Sequence, residues 1–494
     1  MEDVYSSMEV RENGESSPLF LGRCPVLDDK AAMRAATAAS RAYADGQGQW
    51  PRMPMNERIA HLEAFATRMA EVRDEVVRLM TLEICKPRQQ VEAEYDRTVE
   101  YIGDTVDALR EAGGREFSAE QGIFAHVRRA PLGPVLCMGP YNFPYNETFA
   151  TLIPALVMGN TAVVKLPRIG RLLFTPVIKA LRDCFPKGVV NVITGDTHLV
   201  HPILESGLMN VFAFIGSSRA ANALRGLHPQ PHRLRCIFGL DAKNQAVVLP
   251  CADMDLAARE ILTGSLGFGG QRCTAVKIVF VHRSRADELL DRLKDGIEGL
   301  RVGMPFEEGV DITPMPEPGK VDYLKGLVDD ALANGARVVN PEGGAFARSL
   351  FHPALLYPVT QDMRVYREEQ FGPVVPVVPY DDETEPVQYQ IHSNFGQQAS
   401  IFGQDPEAVG RLIDALAPQV CRLNINSKCQ RGPDTLPFSG RKDSAEGTLS
   451  VRDALRAFSM RSVVAAKDTA ANRDILERMI RDGGSCLLNT DHLR

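Results

Sequence analysis

The chain has 494 residues, 44% hydrophobic and 24% charged, with a formal net charge of −7. That length is enough for two or three domains with sizeable cores. The acidic balance excludes a broad phosphate-holding surface, so no nucleic-acid partner is expected, although a few local arginines can still hold a small anion.

The ten cysteines are scattered without Cys-x-x-Cys spacing. They suggest neither a zinc site nor a redox pair and read as reduced thiols of a cytoplasmic protein. No apolar run approaches the roughly 18 residues of a membrane span, so no membrane partner is expected. The first 25 residues lack the pattern of a signal or transit peptide. His198 and His201 stand three apart with no third ligand beside them, and no metal site is expected.

In chain order, residues 1–27 read as a loose arm. Residues 28–44 and 55–82 carry apolar side chains at three- and four-residue spacing, the helical period. The period resumes over 91–112, and Gly113-Gly114 is expected to end it. Residues 115–131 suit a hairpin. Short apolar runs then alternate with helical stretches: 135–138, 162–165, 189–193, 211–215 and 235–238 read as strands, and 146–158, 172–184 and 217–226 as helices. That alternation predicts a parallel sheet covered on both faces, which binds nucleotides at the carboxyl ends of its strands. A second series starts at Ala246 and runs to about Asn426, with strands at 276–281, 336–339, 355–357, 374–378 and 400–402. Two such sheets predict two domains with a cleft between them. Residues 457–466 read as a last strand, followed by a short amphipathic helix near 475–480.

The stretch Gly264-Ser265-Leu266-Gly267-Phe268-Gly269-Gly270-Gln271-Arg272-Cys273-Thr274-Ala275 stands between a predicted helix and a predicted strand. Its glycines supply unusual backbone angles and close access for a ligand. Cys273 is therefore a candidate nucleophile. On this loop alone it is equally a small apolar filler.

Five motifs decide between these. They are Pro140-Tyr141-Asn142-Phe143-Pro144, Val164-Lys165-Leu166-Pro167, Phe214-Ile215-Gly216-Ser217-Ser218, Gly270-Gln271-Arg272-Cys273 and Glu368-Glu369-Gln370-Phe371-Gly372-Pro373. With them the chain resembles the aldehyde dehydrogenases from about residue 30 to about residue 467. The resemblance implies two doubly wound α/β domains: a Rossmann-type cofactor domain (1–114 and 132–244) and a catalytic domain (245–440). It also implies a small β oligomerisation element (115–131 and 441–467) that reaches a neighbouring subunit, hence a homodimer or homotetramer. Residues 468–494 form a tail beyond the usual end of the family.

The resemblance makes Cys273 the nucleophile, whose thiolate adds to an aldehyde and passes through a thiohemiacetal to a thioester. It gives the oxyanion to the Asn142 amide and the Cys273 backbone N–H. Lys165 matches the lysine at the adenosine ribose. Gly216 and Ser217 match the helix N-terminus that faces the pyrophosphate, and Glu369 and Phe371 match the residues at the nicotinamide ribose. Arg168 stands where NAD-preferring relatives often carry a glutamate. A guanidinium cannot accept the ribose hydroxyls and suits a 2′-phosphate, so NADP is the expected cofactor, with NAD as the alternative.

Within the superfamily, Gln271 to Ala275 and Gln430-Arg431-Gly432-Pro433-Asp434 resemble the non-phosphorylating glyceraldehyde-3-phosphate dehydrogenases. Arg97, Arg272 and Arg431 match the arginines that hold the substrate phosphate there, and three guanidiniums suit a dianion. Phe143 departs from that pattern, which has a tyrosine touching the phosphate. The reaction implied is oxidation of glyceraldehyde 3-phosphate to 3-phosphoglycerate by NADP and water.

A second departure concerns the loop expected to face the thiol. Where the superfamily has Glu-Leu-Gly-Gly-Lys, with the glutamate activating water, this chain has Gly239-Leu240-Asp241-Ala242-Lys243. Asp241, two residues on and about 6.6 Å along an extended segment, is a candidate base. A loop aspartate with local hydrogen bonds is an equal reading. The missing glutamate leaves two further readings open. One is a coenzyme-A-acylating semialdehyde dehydrogenase, whose Gly-Ala-Lys-Asn stretch is similar to Asp241-Ala242-Lys243-Asn244. The other is a non-catalytic structural or binding relative.

Overall fold

The computed structural model describes residues 1–12, 15–111 and 117–489. Gly113, Gly114 and Arg115, expected at the end of a helix and the start of a hairpin, lie outside these residues.

Two parallel sheets organise the chain. The first has six strands in the spatial order Ala445–Glu446, Arg235–Gly239, Val211–Ile215, Val135–Met138, Ala162–Lys165 and Val190–Ile193. All pairs are parallel except the edge strand Ala445–Glu446. From Val135–Met138 the chain winds outward through Ala162–Lys165 and Val190–Ile193. It then returns to the other side through Val211–Ile215 and Arg235–Gly239. The winding therefore reverses between Val135–Met138 and Val211–Ile215. The loops that leave their carboxyl ends diverge there and open a crevice.

The second sheet has seven strands, in the order Arg337–Val338, Ala354–Tyr357, Val374–Tyr380, Val276–His282, Asn244–Val248, Gln398–Phe402 and Arg422–Ile425. Its central strands are almost wholly buried runs of Val, Ile and Phe, as a sheet covered on both faces requires. The chain leaves the first sheet at Gly239 and enters the second at Asn244. That short link sets the carboxyl edge of one sheet against the amino edge of the other.

Local chemistry fixes the helices that frame the junction. Asp28 accepts from the Ala31 amide at 2.7 Å and starts Asp29–Tyr43, and Asp253 does the same for Met254–Leu266 through Leu256 at 3.0 Å. Pro144 occupies the first turn of Pro144–Val157, where its missing N–H costs nothing, and every residue of that helix is buried. The helix packs against Trp50, Phe65 and Phe174 in one core, with the Trp50 indole N–H donating to the Leu156 carbonyl at 3.1 Å.

The expected loose arm is a hairpin of Glu2–Glu12 and Glu15–Cys24. Val4, Ser6 and Met8 alternate inward, and the Ser6 hydroxyl donates to the Leu82 carbonyl at 2.6 Å. The helix read over 55–82 is divided at Val72 into Met55–Glu71 and Arg73–Glu83.

A third, small sheet joins Ser459–Lys467, Ile123–Pro131 and Phe117–Glu120. Of segment 441–467 only Ser459–Lys467 belongs to it. Arg441–Lys442 and Ala445–Glu446 instead extend the edges of other strands, and Val451–Ala457 is a helix. The tail folds back over this sheet. Leu476 of the helix Ala470–Arg481 and Leu488 are buried with Phe124, and Arg128 donates to the Leu487 and Asn489 carbonyls at 3.1 and 2.8 Å.

Candidate active site

The cleft between the two large sheets holds a cavity of about 1650 Å³. The loop that carries the cysteine forms part of its wall. Gly267 and Gly270 are needed there for different reasons. A Cβ on Gly270, at φ +72°, would lie 2.5 Å from the Gly372 carbonyl oxygen. One on Gly267 would lie 2.7 Å from the Arg272 Nη1, so the bare backbone leaves that guanidinium its place.

Cys273 sits just before the strand Val276–His282, partly exposed into the cavity. Its carbonyl accepts from Lys277 Nζ at 2.6 Å and from Asn244 Nδ2 at 2.8 Å, so two buried side chains clamp the backbone that bears the thiol. Burial pushes the thiol up from its ordinary range. The negative charge of Glu147 adds to the shift, while Lys277 and Arg431 oppose it. The Asn142 Nδ2 donates to the Gln271 carbonyl at 2.8 Å, which holds its amide beside the thiol loop. Asn142 is itself fixed from behind, since its carbonyl accepts from Lys86 Nζ at 3.2 Å and that buried lysine is paired with Glu94. The thiol and the Asn142 amide thus line one cavity, an arrangement that can supply a nucleophile and an oxyanion donor.

At the other end of the cavity, Lys165, Arg168, Gly216 and Ser217 line the carboxyl edge of the six-stranded sheet. Lys165 has no ion-pair partner among the described residues, and burial brings its ammonium down to about 8. Arg168 is 76% exposed, with only a 3.9 Å approach to Asp196. The Ser217 hydroxyl accepts from the Ala220 amide at 3.2 Å and caps the helix Ser218–Arg225. A dinucleotide fits this donor set: a helix N-terminus suits a pyrophosphate, and two cations, Lys165 and the loosely paired Arg168, suit a ribose phosphate.

Glu369 lines the same cavity, but its Oε1 pairs with Lys277 Nζ at 2.9 Å and accepts from the Ala242 amide at 3.2 Å. Phe371, at φ +42°, also lines it, with its ring edge-on to Tyr141 at 6.2 Å between centroids.

The three arginines expected around a substrate phosphate all reach the cavity, in different company. Arg97 is held in a two-pronged pair by Asp434, at 2.7 Å on both arms. Arg431 pairs with Glu147 and lies 3.3 Å from Asp434. Arg272 has no acidic partner among the described residues; its Nη2 makes only long contacts to Thr274 Oγ1 at 3.4 Å and the Cys429 carbonyl at 3.5 Å. Asp241 lines the cavity, and its Oδ2 accepts from the Ser218 amide at 2.7 Å, the local bond of a loop aspartate.

Sequence reasoning passed over Glu147 and Lys277. The signal for Glu147 was present: it is the one charged residue in Pro144–Val157, a helix buried all round. A carboxylate kept in such a helix has a partner or a task.

A cysteine, a positioned amide and a dinucleotide crevice at the junction of two wound sheets define an enzyme of the aldehyde dehydrogenase class. The profile of the aldehyde dehydrogenase family matches residues 8–464, and the chain belongs to that family. Among known proteins it is similar to the NADP-dependent glyceraldehyde-3-phosphate dehydrogenase of Streptococcus equinus, at 32% identity over 92% of this chain and 94% of that one. The enzyme of the same name from Pisum sativum is 31% identical, over 83% of each chain. The crystal structure of the Bacillus halodurans NADP-dependent glyceraldehyde-3-phosphate dehydrogenase, complexed with NADP, superposes with a TM-score of 0.86 at 32% identity, covering 95% of this chain and 96% of that one.

Proposed function

We propose that this enzyme oxidises glyceraldehyde 3-phosphate to 3-phosphoglycerate with NADP and water, without phosphorylation, through a thioester on Cys273. One observation carries the substrate: Arg272, a guanidinium without an acidic partner among the described residues, stands next to the nucleophile and opens on the same cavity. A phosphorylated aldehyde whose carbon lies at Sγ brings its dianion within reach of that charge. The names of the relatives support the same substrate and cofactor.

The Cys273 thiolate bonds to the aldehyde carbon, and the carbonyl oxygen takes the charge. The Asn142 amide and the Cys273 N–H stabilise that oxygen. NADP, when bound, supplies the two-electron acceptor that turns the adduct into a thioester. Lys165 would meet its adenosine ribose and Arg168 its 2′-phosphate, Ser217 and Gly216 would face its pyrophosphate, and Glu369 and Phe371 its nicotinamide ribose. The same reading divides the chain into a cofactor part over 1–114 and 132–244 and a catalytic part over 245–440, a division that the presence of two large sheets supports. Pairing of the small sheet with a second copy, giving a homodimer or homotetramer, and a cytoplasmic location belong to the same reading.

Gly239, with no side chain to serve as a base, favours acyl transfer to coenzyme A as a second reading. The test is NADPH formation from glyceraldehyde 3-phosphate without inorganic phosphate, with and without coenzyme A. Steady turnover in both supports hydrolysis. A single turnover that stalls until coenzyme A is added establishes the second reading, and no NADPH in either rejects this substrate.

A further inference from the structure

The residue that deacylates the enzyme has to replace what Gly239 lacks. Most acids that line the cavity are committed. Glu94 is tied to Lys86 and to the amides of Tyr145 and Asn146, and Glu368 to Arg364. Glu317 pairs with Lys320, and Asp241 and Glu369 hold backbone amides. Glu147 differs. Its Oε1 pairs with Arg431, while its Oε2 is buried and has no hydrogen-bond partner. The residue is 6% exposed and lines the cavity. Cys273 opens on the same cavity, and the Glu147 charge helps to raise its thiol.

The chain explains why it is there. Asn142 and Glu147 flank the start of the helix Pro144–Val157, so the element that brings the oxyanion donor to the thiol brings this carboxylate too. A buried, half-satisfied carboxylate is costly unless the site uses it.

We propose that Glu147 is the general base that activates water against the Cys273 thioester. The inference rests on the thioester reading above. Glu147 Oε2 takes a proton from water as the water oxygen bonds to the thioester carbon. The carbonyl oxygen becomes the oxyanion held by Asn142 and the Cys273 N–H. The C–S bond then breaks, the acid departs, and sulfur leaves as thiolate. The proton on Glu147 passes to solvent, which restores the carboxylate. Arg431 holds the other oxygen and aims the group.

The experiment uses p-nitrophenyl acetate without cofactor, because this activated ester acylates a reactive thiol whatever the natural aldehyde is. Wild type should give one equivalent of nitrophenolate rapidly and then a steady phase. Glu147→Gln should keep the one-equivalent burst, which also reports an intact site. Its steady phase should fall by about 10²-fold or more, the usual contribution of a general base. Added hydroxylamine, a nucleophile that needs no base, should restore turnover. Glu147→Asp, which keeps the charge but withdraws it, should fall between the two. Asp241→Asn, at the other candidate base, should lower the steady phase less than Glu147→Gln does.

An unchanged steady phase in Glu147→Gln overturns the proposal. So does a lost burst in both Glu147 variants, which would make the residue structural, or a wild type that stalls after one equivalent. The absence of any burst in wild type would instead remove the nucleophile and with it the thioester reading.

Discussion

Replacing Arg272 by Leu should separate phosphorylated from unphosphorylated substrates. The guanidinium is half-buried, desolvation lowers its pKa, and only two long contacts hold it, to Thr274 and to the Cys429 carbonyl. Arg97 and Arg431 already face Asp434 and Glu147, so three cations meet two carboxylates and most of the uncompensated charge sits on Arg272. A charge pair 4 Å apart is worth about 4 kcal/mol at an effective dielectric constant of about 20. Desolvation returns part of that, and truncating one side of a buried charged pair typically costs about 2–5 kcal/mol. The expected loss in kcat/KM for glyceraldehyde 3-phosphate is therefore about 30- to 4,000-fold, at 1.4 kcal/mol per tenfold. Unphosphorylated glyceraldehyde, assayed with the same cofactor, should change by less than about threefold, which leaves the fold and the thiol as internal controls. An equal loss on both substrates would refute the reasoning, because it would mean that Arg272 supports the loop and not the phosphate.

Three further outcomes follow from the same geometry. Burial has brought Lys165 down to about 8, so it is cationic at pH 7 and largely neutral by pH 9. NADP affinity measured by fluorescence titration should weaken as pH rises through that value, and the dependence should vanish in Lys165→Met. Replacing Asp241 by Ala removes an acceptor from the first turn of Ser218–Arg225 and should cost about 1 kcal/mol in urea unfolding, with deacylation lowered less than in Glu147→Gln. Glu147→Gln removes a negative charge that raises the Cys273 thiol, so iodoacetamide should label Cys273 faster at pH 7.5 in the variant than in wild type. Peptide mapping should be used to read it, because Cys421 and Cys486 are exposed and label independently.

The two wound sheets were legible because alternation of short buried strands with amphipathic helices is a property of the local pattern. All five strands expected in the first sheet are present, with ends within a residue of those read. The hairpin Glu2–Glu12 and Glu15–Cys24 was missed because its inward row mixes Ser6 with Val4 and Met8, which dilutes the period-two signal. Cys273, Asn142, Lys165 and Arg168 were picked out from short motifs whose spacing is local, and all four line the one cavity. The company of the arginines could not. Arg431 and Glu147 come from distant parts of the chain, and nothing in either neighbourhood announces that they meet. The same holds for Lys277, which reads as a strand residue and turns out to clamp the Cys273 carbonyl and to hold Glu369. A site is legible to the extent that its parts are adjacent in sequence, and the electrostatic balance of this one is built from tertiary pairs.

The central claim is a covalent acyl-enzyme on Cys273. Enzyme mixed with glyceraldehyde 3-phosphate and NADP, quenched in acid within the first turnover and digested, tests it by mass spectrometry of the peptide that carries Gln271-Arg272-Cys273. A 3-phosphoglyceryl thioester is expected on that cysteine, present before the steady state and absent when NADP is omitted. An unmodified Cys273 peptide in samples that have already formed a full equivalent of NADPH would contradict it.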